Sequence, residues 1–420
     1  MNQKSSGSEH MSSWLAGAPA KVDLTRPDQD AWTRRVAGEM LERFAGEGEL
    51  QALEERSQDV PILVRLAMKL AQSKQRVMSL PDEVHVSVVF AVYKEHRRLR
   101  TRAEHPHGED FLVRKVDQVN WLFDGSPRVT WSMLVVDDGC PEKSGEIAQQ
   151  IIDARNLGER VKVLFLQNAI DVGHPAAKGI ASTADSQKGG SIEYGMAVAS
   201  DEDYAKHVVV FTDADLSTHL GQLGLLIEPI VGQGFDAAIG SRREPLSVVI
   251  KGGARDARGK LFIYLWKRLI PQLSPIIDTQ CGFKAFRASV AQAIVKDTIE
   301  KRFAFDIELL LRTQLARQGS IVKMPIAWID SEAASTTTEL QPYLAMLQSI
   351  VRIAQRYLPQ SEQASSFSRL IESLDEESWA RLASQVPPLI ADREPMELEA
   401  FDGVTAGHLA RVARGGGVSL

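Results

Sequence analysis

The sequence lacks the features that mark several common classes of protein. Only two cysteines occur in 420 residues, Cys140 and Cys281, and they fit no metal-ligand spacing. No apolar run is long enough for a transmembrane helix, and residues 1–9 lack the apolar core of a signal peptide. The formal net charge is -6, which provides no basic field for nucleic acid. We therefore expect a cytoplasmic protein, at most peripheral to a membrane, with no nucleic-acid partner.

Hydrophobic periodicity divides the chain into four predicted regions. Residues 1–24 are rich in Ser, Gly and Ala and are predicted to be flexible. Residues 25–82 form a helical N-terminal extension, with one helix from Pro27 and a second over Pro61–Met78. Residues 83–335 form the main α/β domain. Residues 336–420 form a helical C-terminal extension that ends in a loose tail and contains one weak helix near 367–382.

Strands alternate with helices through the main domain. Runs rich in β-branched residues predict strands over Val84–Val92, Trp131–Val136, Val161–Leu166 and Val208–Thr212. Helical segments separate them, and a polar loop is predicted over 167–187. Further short strands are expected at Ala237–Arg242, within Asp278–Phe286 (as a strand or a turn) and at Ile321–Trp328. This order predicts a Rossmann-like, mostly parallel central sheet flanked by helices.

Two carboxylates follow the strand Val208–Thr212, and the whole chain is organised around them. Asp213 and Asp215 are separated by one small residue, so an extended backbone points both to the same face. Ligands of open α/β sheets bind beyond the carboxyl ends of the strands. Two carboxylates and the oxygens of a diphosphate are a usual environment for Mg²⁺. A solvated polar turn is the alternative interpretation of so short a motif.

Seven segments of the main domain form a recognisable series. They are Val86–Glu95, Val135–Gly139, Lys188–Ser191 with Gly195-Met196, Thr212–Ser217, Gly240–Arg242, Asp278–Lys284 and Phe305–Glu308. In this order they resemble the family 2 glycosyltransferases of GT-A fold, most strongly the branch of dolichyl-phosphate glucosyltransferases and dolichol-phosphate mannosyltransferases. The resemblance covers about residues 84–335. Each segment alone is weak, but their common order is strong support for the fold.

The resemblance implies a set of residues that bind the nucleotide. The backbone at Ala91 and Tyr93 would flank the base, with Glu95 near the ribose. Asp137 would meet the nucleobase or ribose, because a carboxylate accepts from uracil N–H or ribose hydroxyl groups. Lys188 would offer a point charge to the base or phosphate. The basic run His96–Arg100 that follows is predicted to be a solvated surface.

The resemblance also implies a metal and a phosphate site. Asp213 and Asp215 would hold Mg²⁺ or Mn²⁺ on the donor diphosphate, with Asp215 preferred as the direct ligand. Arg242, Arg255 and Arg258 are candidate phosphate contacts, because guanidinium groups match phosphate oxygens. Surface salt bridges are the alternative role for these arginines.

The remaining implied residues concern the sugar and the acceptor. Gln280 and Gly282 would line the sugar pocket, and Cys281 is better explained as a small buried thiol than as a nucleophile. The catalytic base would be Asp306 or Glu308, of which a helix turns only one toward the pocket. Glu308 as a structural anchor stays open. A phosphate acceptor would need no base.

These residues and the resemblance together predict an inverting, metal-dependent transfer of a sugar from a nucleoside diphosphate sugar, and the resemblance implies a UDP-sugar, with UDP-glucose favoured. A soluble, hydroxyl-bearing acceptor is expected, because the segment Asp330–Thr336 carries acids where the family has a basic acceptor loop. The first alternative is a peripheral enzyme that glycosylates a polyprenyl phosphate. A sugar-phosphate nucleotidyltransferase and a non-catalytic sugar-nucleotide binding protein are two further alternatives. A homodimer is left open.

Overall fold

The computed structural model describes residues 11–46, 48–250, 256–330, 342–398 and 403–416. The predicted α/β architecture is confirmed: a mostly parallel central sheet lies between helices, with helical segments at both ends of the chain. Two sequence predictions lie outside the described residues. They are the phosphate role of Arg255 and the acidic acceptor segment from Ser331 onward.

The N-terminal extension is helical from residue 11. Helix α1 covers residues 11–17, so the prediction of a flexible segment is wrong for these residues. Trp14 is only 3% exposed and donates from its indole nitrogen to Glu39 at 2.7 Å, which orders this segment. The following helices are α2 Pro27–Arg43, α3 Glu49–Glu55 and α4 Ile62–Met78. Helix α2 begins at the proline, where the missing backbone N–H costs nothing.

The central sheet has seven strands in the order β3-β2-β1-β4-β7-β5-β8. The strands are β1 Val84–Val92, β2 Val129–Asp137, β3 Val161–Phe165, β4 His207–Thr212, β5 Ala237–Ser241, β7 Phe283–Arg287 and β8 Ile321–Pro325. The predicted last strand is broken at Ile326, and its second part, β9 Ala327–Ile329, pairs with β6 Val248–Ile250 in a separate two-stranded sheet.

Strand β1 shows why this sheet is buried on both faces. Val88 and Phe90 belong to the core on one face of the sheet, and Val89 belongs to the core on the other. All three side chains are fully buried. A continuous apolar run of this kind is typical of a parallel strand that is covered on both sides.

Strand β7 runs antiparallel to both of its neighbours, β4 and β5. Its first residue, Phe283, therefore pairs with Thr212 at the carboxyl end of β4. This direction brings the segment Gln280–Gly282 next to Asp213, whose backbone N–H donates to the Gly282 carbonyl at 3.1 Å. The antiparallel strand is therefore the reason that two distant motifs meet.

The helices of the main domain cover both faces of the sheet. A short helix, α7, occupies the start of the segment that was predicted to be a polar loop over 167–187. The helices are α5 Phe111–Phe123, α6 Ser144–Ala154, α7 Leu166–Asp171, α8 Gly189–Ser200, α9 Gly224–Val231, α10 Asp256–Leu269, α11 Ala288–Ile294 and α12 Phe305–Ala316.

The C-terminal extension packs its helices against α10 and α12. Its helices are α13 Tyr343–Tyr357, α14 Glu362–Glu372, α15 Glu376–Ser384, α16 Pro388–Ala391 and α17 Ala406–Ala413. The single weak helix predicted near 367–382 is in fact two helices, α14 and α15. One core joins Trp266 of α10, Leu310 of α12 and Ile350 of α13.

The N-terminal extension braces the segment that follows the acidic motif. His219 lies four residues after Asp215 and is hydrogen-bonded to Asp30 of α2 at 2.7 Å. The backbone N–H of Gly224 donates to the Ser73 hydroxyl of α4 at 2.8 Å. Among the described residues, no helix is both long and apolar enough to span a bilayer.

Candidate functional site

A cavity of about 660 Å³ lies at the carboxyl ends of β1 and β4. Its volume is in the range of small-ligand sites. Six of the predicted site residues line it together: Ala91, Tyr93, Glu95, Lys188, Asp213 and Asp215. The wall also contains residues that sequence reasoning did not assign: Arg98, Asp138, Gly139, Thr183, Ala184, Gln187, Ala214 and Phe303.

The two aspartates of the motif have different partners. Asp213 accepts a hydrogen bond from the Lys188 ammonium group. Burial acts to raise the pKa of Asp213, but Lys188 outweighs it and the pKa lies below its usual value. Asp215 accepts one hydrogen bond, from the backbone N–H of Ser217 at 3.0 Å, and no described residue donates to its second oxygen. Asp215 therefore keeps an open ligand position.

Gly282 makes room for the Asp213 carboxylate. A Cβ atom at position 282 would lie 2.3–2.4 Å from three atoms of that carboxylate, which is closer than any real contact. Because glycine has no side chain, the backbone at position 282 can approach the Asp213 carboxylate closely. Next to it, Gln280 has a buried Nε2 atom with no hydrogen-bond partner among the described residues. Neither Gln280 nor Gly282 lines the cavity, so their place in a sugar pocket stays a prediction.

Cys281 is fully buried, and burial raises the pKa of its thiol to about 12. Because the thiolate is the reactive form, this thiol is inert at neutral pH.

One wall of the cavity contains a buried ion network. Arg98 donates to Glu95 at 2.9 Å and 3.1 Å and to Glu109 at 3.0 Å and 3.3 Å. Arg98 is only 8% exposed, so the prediction of a solvated surface is wrong for this residue of the basic run. Burial and the nearby Asp215 raise the pKa of Glu95 to about 7, against the lowering effect of Arg98.

The Asp137 carboxylate accepts hydrogen bonds from the backbone of the turn that follows it. Its two oxygens accept from the backbone N–H groups of Gly139 and Cys140 at 2.9 Å and of Gly145 at 2.7 Å. These bonds fix the turn between β2 and α6. The neighbouring carboxylate, Asp138, lines the cavity, and it accepts from the Lys188 backbone N–H at 2.7 Å. The other oxygen of Asp138 accepts from the Ser191 hydroxyl at 2.6 Å. The predicted contact of Asp137 with a nucleobase stays a prediction.

The predicted phosphate-binding arginines lie in different environments. Arg242 makes a bidentate pair with Asp278, with distances of 2.6 Å and 2.8 Å, and its guanidinium lies 5.2 Å from the ring centre of Trp328. Arg258 is exposed on α10. Neither lines the cavity at the acidic motif. Their phosphate role stays a prediction.

The two candidate bases differ sharply. Asp306 is 5% exposed and accepts from the Lys284 ammonium at 2.5 Å, while Lys284 also donates to the Cys281 carbonyl. Burial raises the pKa of Asp306, although Lys284 and Lys188 act to lower it. Glu308 is fully buried and is occupied by three donors, which are the backbone N–H groups of 299 and 300 and the Tyr357 hydroxyl. These partners favour a structural anchor for Glu308, and both that role and the role of base stay predictions.

Lys115 is a buried cation that sequence reasoning missed. Its side chain is fully buried, and its Nζ atom has no hydrogen-bond partner among the described residues. The ammonium lies 5.6 Å from the ring centre of Phe90 and is attracted by Asp215 and Asp213. Burial lowers the pKa of Lys115 to about 8 despite those aspartates. A positive charge is therefore built in beneath the acidic motif.

Curated relatives align with about half to two thirds of the chain, while no protein-family model matches it. Glycosyltransferase AglD of Haloferax volcanii is 26% identical over 246 residues, which are 58% of this chain and only 33% of AglD. Dolichyl-phosphate beta-glucosyltransferase of Drosophila melanogaster is 26% identical over 67% of this chain and 78% of its own length. Undecaprenyl-phosphate mannosyltransferase of Micrococcus luteus is 29% identical over 48% of this chain and 72% of its own length.

Among solved structures, glucosyl-3-phosphoglycerate synthase of Mycobacterium tuberculosis in complex with UDP superposes with a TM-score of 0.44 at 15% identity. The superposition covers 70% of this chain and 86% of that one.

Proposed function

We propose a reaction from one premise: the chain is a glycosyltransferase of family 2 with the GT-A fold, in the branch of the dolichyl-phosphate glucosyltransferases. We infer that it transfers a sugar, with inversion, from a nucleoside diphosphate sugar to a polyprenyl phosphate. The names of the relatives support the acceptor, since they act on dolichyl or undecaprenyl phosphate. UDP-glucose is the proposed donor, since the dolichyl-phosphate relatives are named glucosyltransferases.

The proposal of a phosphate acceptor depends on the hydrogen-bond partners of the two candidate bases. Asp306 is paired with Lys284, and Glu308 is occupied by three donors. Neither is a free base. A hydroxyl acceptor would need one, because its proton must leave as the oxygen attacks. A phosphate monoester, whose second pKa is about 6, is already deprotonated at pH 7.

The acidic motif fits a divalent ion that binds together with a diphosphate. Asp213 and Asp215 line the same cavity, and Asp215 has an oxygen to which no described residue donates. One or two carboxylates with phosphate oxygens suit Mg²⁺ or Mn²⁺. Such an ion would neutralise the charge that develops on the departing nucleoside diphosphate. Lys188 would supply a further positive charge to the same diphosphate.

The other walls suit the rest of the donor. In the proposed complex, the base and ribose of the donor lie against the wall that contains Asp138 and the Glu95–Arg98 pair. The unpartnered Gln280 amide is buried outside the cavity lining, and its proposed role is to donate to a sugar hydroxyl. Hydrogen-bonding groups on a rigid wall would orient the sugar, so that the acceptor oxygen attacks the anomeric carbon from the side opposite the diphosphate.

A thermal-shift panel of nucleoside diphosphate sugars, each with Mn²⁺ and with EDTA, tests the donor site. A ligand that binds only the folded protein raises its melting temperature. We expect a shift with a UDP-sugar that requires the metal, and Asp215→Asn should abolish this shift while leaving the fold intact. Unchanged UDP-sugar affinity of Asp215→Asn in Mn²⁺ would contradict the metal site.

Transfer assays separate the alternatives. Radiolabelled sugar that moves from the donor to farnesyl phosphate supports the proposed reaction. Release of pyrophosphate from a nucleoside triphosphate and a sugar phosphate would indicate a nucleotidyltransferase instead. Donor binding without hydrolysis or transfer to any acceptor would indicate a sugar-nucleotide binding protein.

A hydroxyl acceptor is a second candidate, and the position of Asp306 favours it. This carboxylate is attracted by both Lys188 and Lys284, which places it beside the acidic motif. If Lys284 released it, Asp306 could act as a base. Asp306→Asn discriminates the two acceptors: transfer to a prenyl phosphate should fall by less than about tenfold, whereas loss of a general base costs about a hundredfold or more.

A further inference from the structure

A second cavity of about 470 Å³ adjoins the donor cavity. It lies between the loop before α8, the segment 299–303 before α12, and helix α13 of the C-terminal extension. Gln187 and Phe303 line both cavities. Gln187 directly precedes Lys188, so the second cavity opens beside the cation that contacts Asp213. A ligand there would therefore lie next to the proposed donor site.

Two guanidinium groups on the wall of this cavity form only long ion pairs, and that of Arg352 also donates to the Ser349 hydroxyl at 2.8 Å. The side chains of Arg302 and Arg352 are 51% and 59% exposed. Their acidic neighbours are distant for ion pairs: Arg302 lies 4.0 Å from Asp185, and Arg352 lies 3.6 Å from Glu300. Both arginines are more than half exposed and their ion pairs are long, although Glu300 itself is only 4% exposed. An incoming phosphate can therefore take both guanidinium groups at small cost. Guanidinium forks are well suited to phosphate oxygens.

Apolar side chains line the same cavity. Ile299 is 41% exposed and Phe303 is 40% exposed, and both belong to the few large hydrophobic residues of the described chain that face solvent. Pro342 and Met346 of the α13 region complete the apolar wall. Cations beside an exposed apolar wall match a ligand that has a phosphate at one end and a hydrocarbon chain at the other.

We propose that this second cavity binds the acceptor as a prenyl phosphate. Arg302 and Arg352 hold the phosphate, and Ile299 and Phe303 pack against the first isoprene units. The inference rests on the proposed function and adds the place where the acceptor binds. It also gives the C-terminal extension a role, because Arg352 belongs to α13.

Transfer kinetics of the full-length chain with Arg302→Gln/Arg352→Gln test the phosphate contacts. With farnesyl phosphate as acceptor, the KM for the acceptor should rise by about tenfold or more, because two charge-assisted contacts are lost. The donor-induced thermal shift should not change. Arg317→Gln is the matched control. Arg317 is 53% exposed and pairs with Asp236, which lies at the amino end of β5 and lines neither cavity.

The apolar wall is tested separately with Ile299→Ser. In the wild type, farnesyl phosphate should have a lower KM than the shorter dimethylallyl phosphate, and this preference should shrink in the variant. Leu315→Ser is the control, since Leu315 is 47% exposed and does not line the cavity. An unchanged preference in Ile299→Ser would contradict the contact with the hydrocarbon chain.

Three outcomes overturn the proposal in distinguishable ways. A wild type that neither binds a nucleotide sugar nor transfers one would overturn the proposed function and this site with it. A wild type that transfers to farnesyl phosphate, while the double arginine variant keeps the wild-type KM, would overturn the site alone. Equal transfer to phosphoglycerate, with the same dependence on both arginines, would overturn the prenyl class.

Discussion

The Lys188 ammonium group donates a hydrogen bond to the Asp213 carboxylate. The contact is fixed from two sides, because the Lys188 backbone N–H is held by Asp138 at 2.7 Å in a conformation with φ of 88°. Lys188 therefore occupies one of the two carboxylates that would hold a divalent ion. The donor diphosphate brings the negative charge that can draw this lysine away.

The first prediction concerns metal binding without nucleotide. Lys188→Met removes the competing ammonium, so Mn²⁺ alone should bind more tightly by a few-fold, up to about tenfold, since the pair is partly exposed to solvent. Binding of UDP should weaken in the same variant, because a charge on the diphosphate is lost. Free Mn²⁺ measured by electron paramagnetic resonance gives the first affinity, and calorimetry gives the second.

Lys178→Met is the control for this experiment. Lys178 also pairs with an aspartate, Asp297 at 2.5 Å, but both side chains are exposed and neither lines the donor cavity. Its Mn²⁺ affinity should equal that of the wild type. If Lys188→Met bound Mn²⁺ no better than Lys178→Met, the competition between lysine and metal would be refuted.

The second prediction concerns the close approach of Gly282. In Gly282→Ala the new methyl group would overlap the Asp213 carboxylate, with atoms 2.3–2.4 Å apart. The carboxylate must move, so we expect metal-dependent donor affinity to fall by about tenfold or more. Thermal shift with UDP-glucose and Mn²⁺ measures the effect.

Gly38→Ala provides the contrast for Gly282→Ala. Gly38 lies inside α2, and a Cβ atom there would meet nothing within 4 Å. This variant should gain about 0.5–1 kcal/mol of stability from helix propensity and keep its donor affinity. Normal donor affinity in Gly282→Ala would show that the Asp213 carboxylate is not held where the structure has it.

The third prediction concerns the buried Lys115. Its folded-state pKa of about 8 lies below the ordinary value of 10.5, so the protonated side chain destabilises the folded protein. Lys115→Met should therefore raise the free energy of unfolding by about 2–3 kcal/mol at pH 7. The destabilisation by the wild-type lysine is at its full size below the pKa of the folded state. It disappears as the pH rises to the pKa of the unfolded chain. The gain should thus shrink between about pH 8 and pH 10.5.

Melting temperatures over that pH range measure this difference. Lys296→Met, at an exposed position, controls for the change of residue type and should show no such pH dependence. A gain in Lys115→Met that is equal at all pH values would indicate better packing rather than a buried charge.

The sequence predicted the elements whose signals are local. The bounds of β1 and the start of α2 follow directly from the β-branched run and from the proline, and the structure confirms both. The acidic motif lies at the end of a buried strand, as expected. These features depend on neighbours within one element, so periodicity and turn chemistry suffice.

The missed residues depend on partners far away in the chain. Arg98 is buried because the chain folds back and brings Glu109 to its guanidinium, and no local pattern shows that pairing. Lys115 did have a signal: it lies four residues from Phe111 and from Val119, on the buried face of α5. A lysine at a core position of an amphipathic helix indicates a buried charge. The direction of β7 could not be predicted, because it depends on pairing with both β4 and β5.

The last prediction tests whether Glu308 stabilises the fold or takes part in the reaction. This carboxylate accepts from the Tyr357 hydroxyl at 2.6 Å and from the backbone N–H of Glu300 at 2.8 Å, so it ties α13 to the segment before α12. Glu308→Gln turns one acceptor into a donor and should cost about 1–3 kcal/mol of stability. Tyr357→Phe removes one of the same bonds, so the double variant should lose less than the sum of the single losses. Denaturation gives these energies, and turnover is measured well below the melting temperature. If Glu308→Gln kept its stability but lost turnover, Glu308 would act in the reaction rather than in the fold.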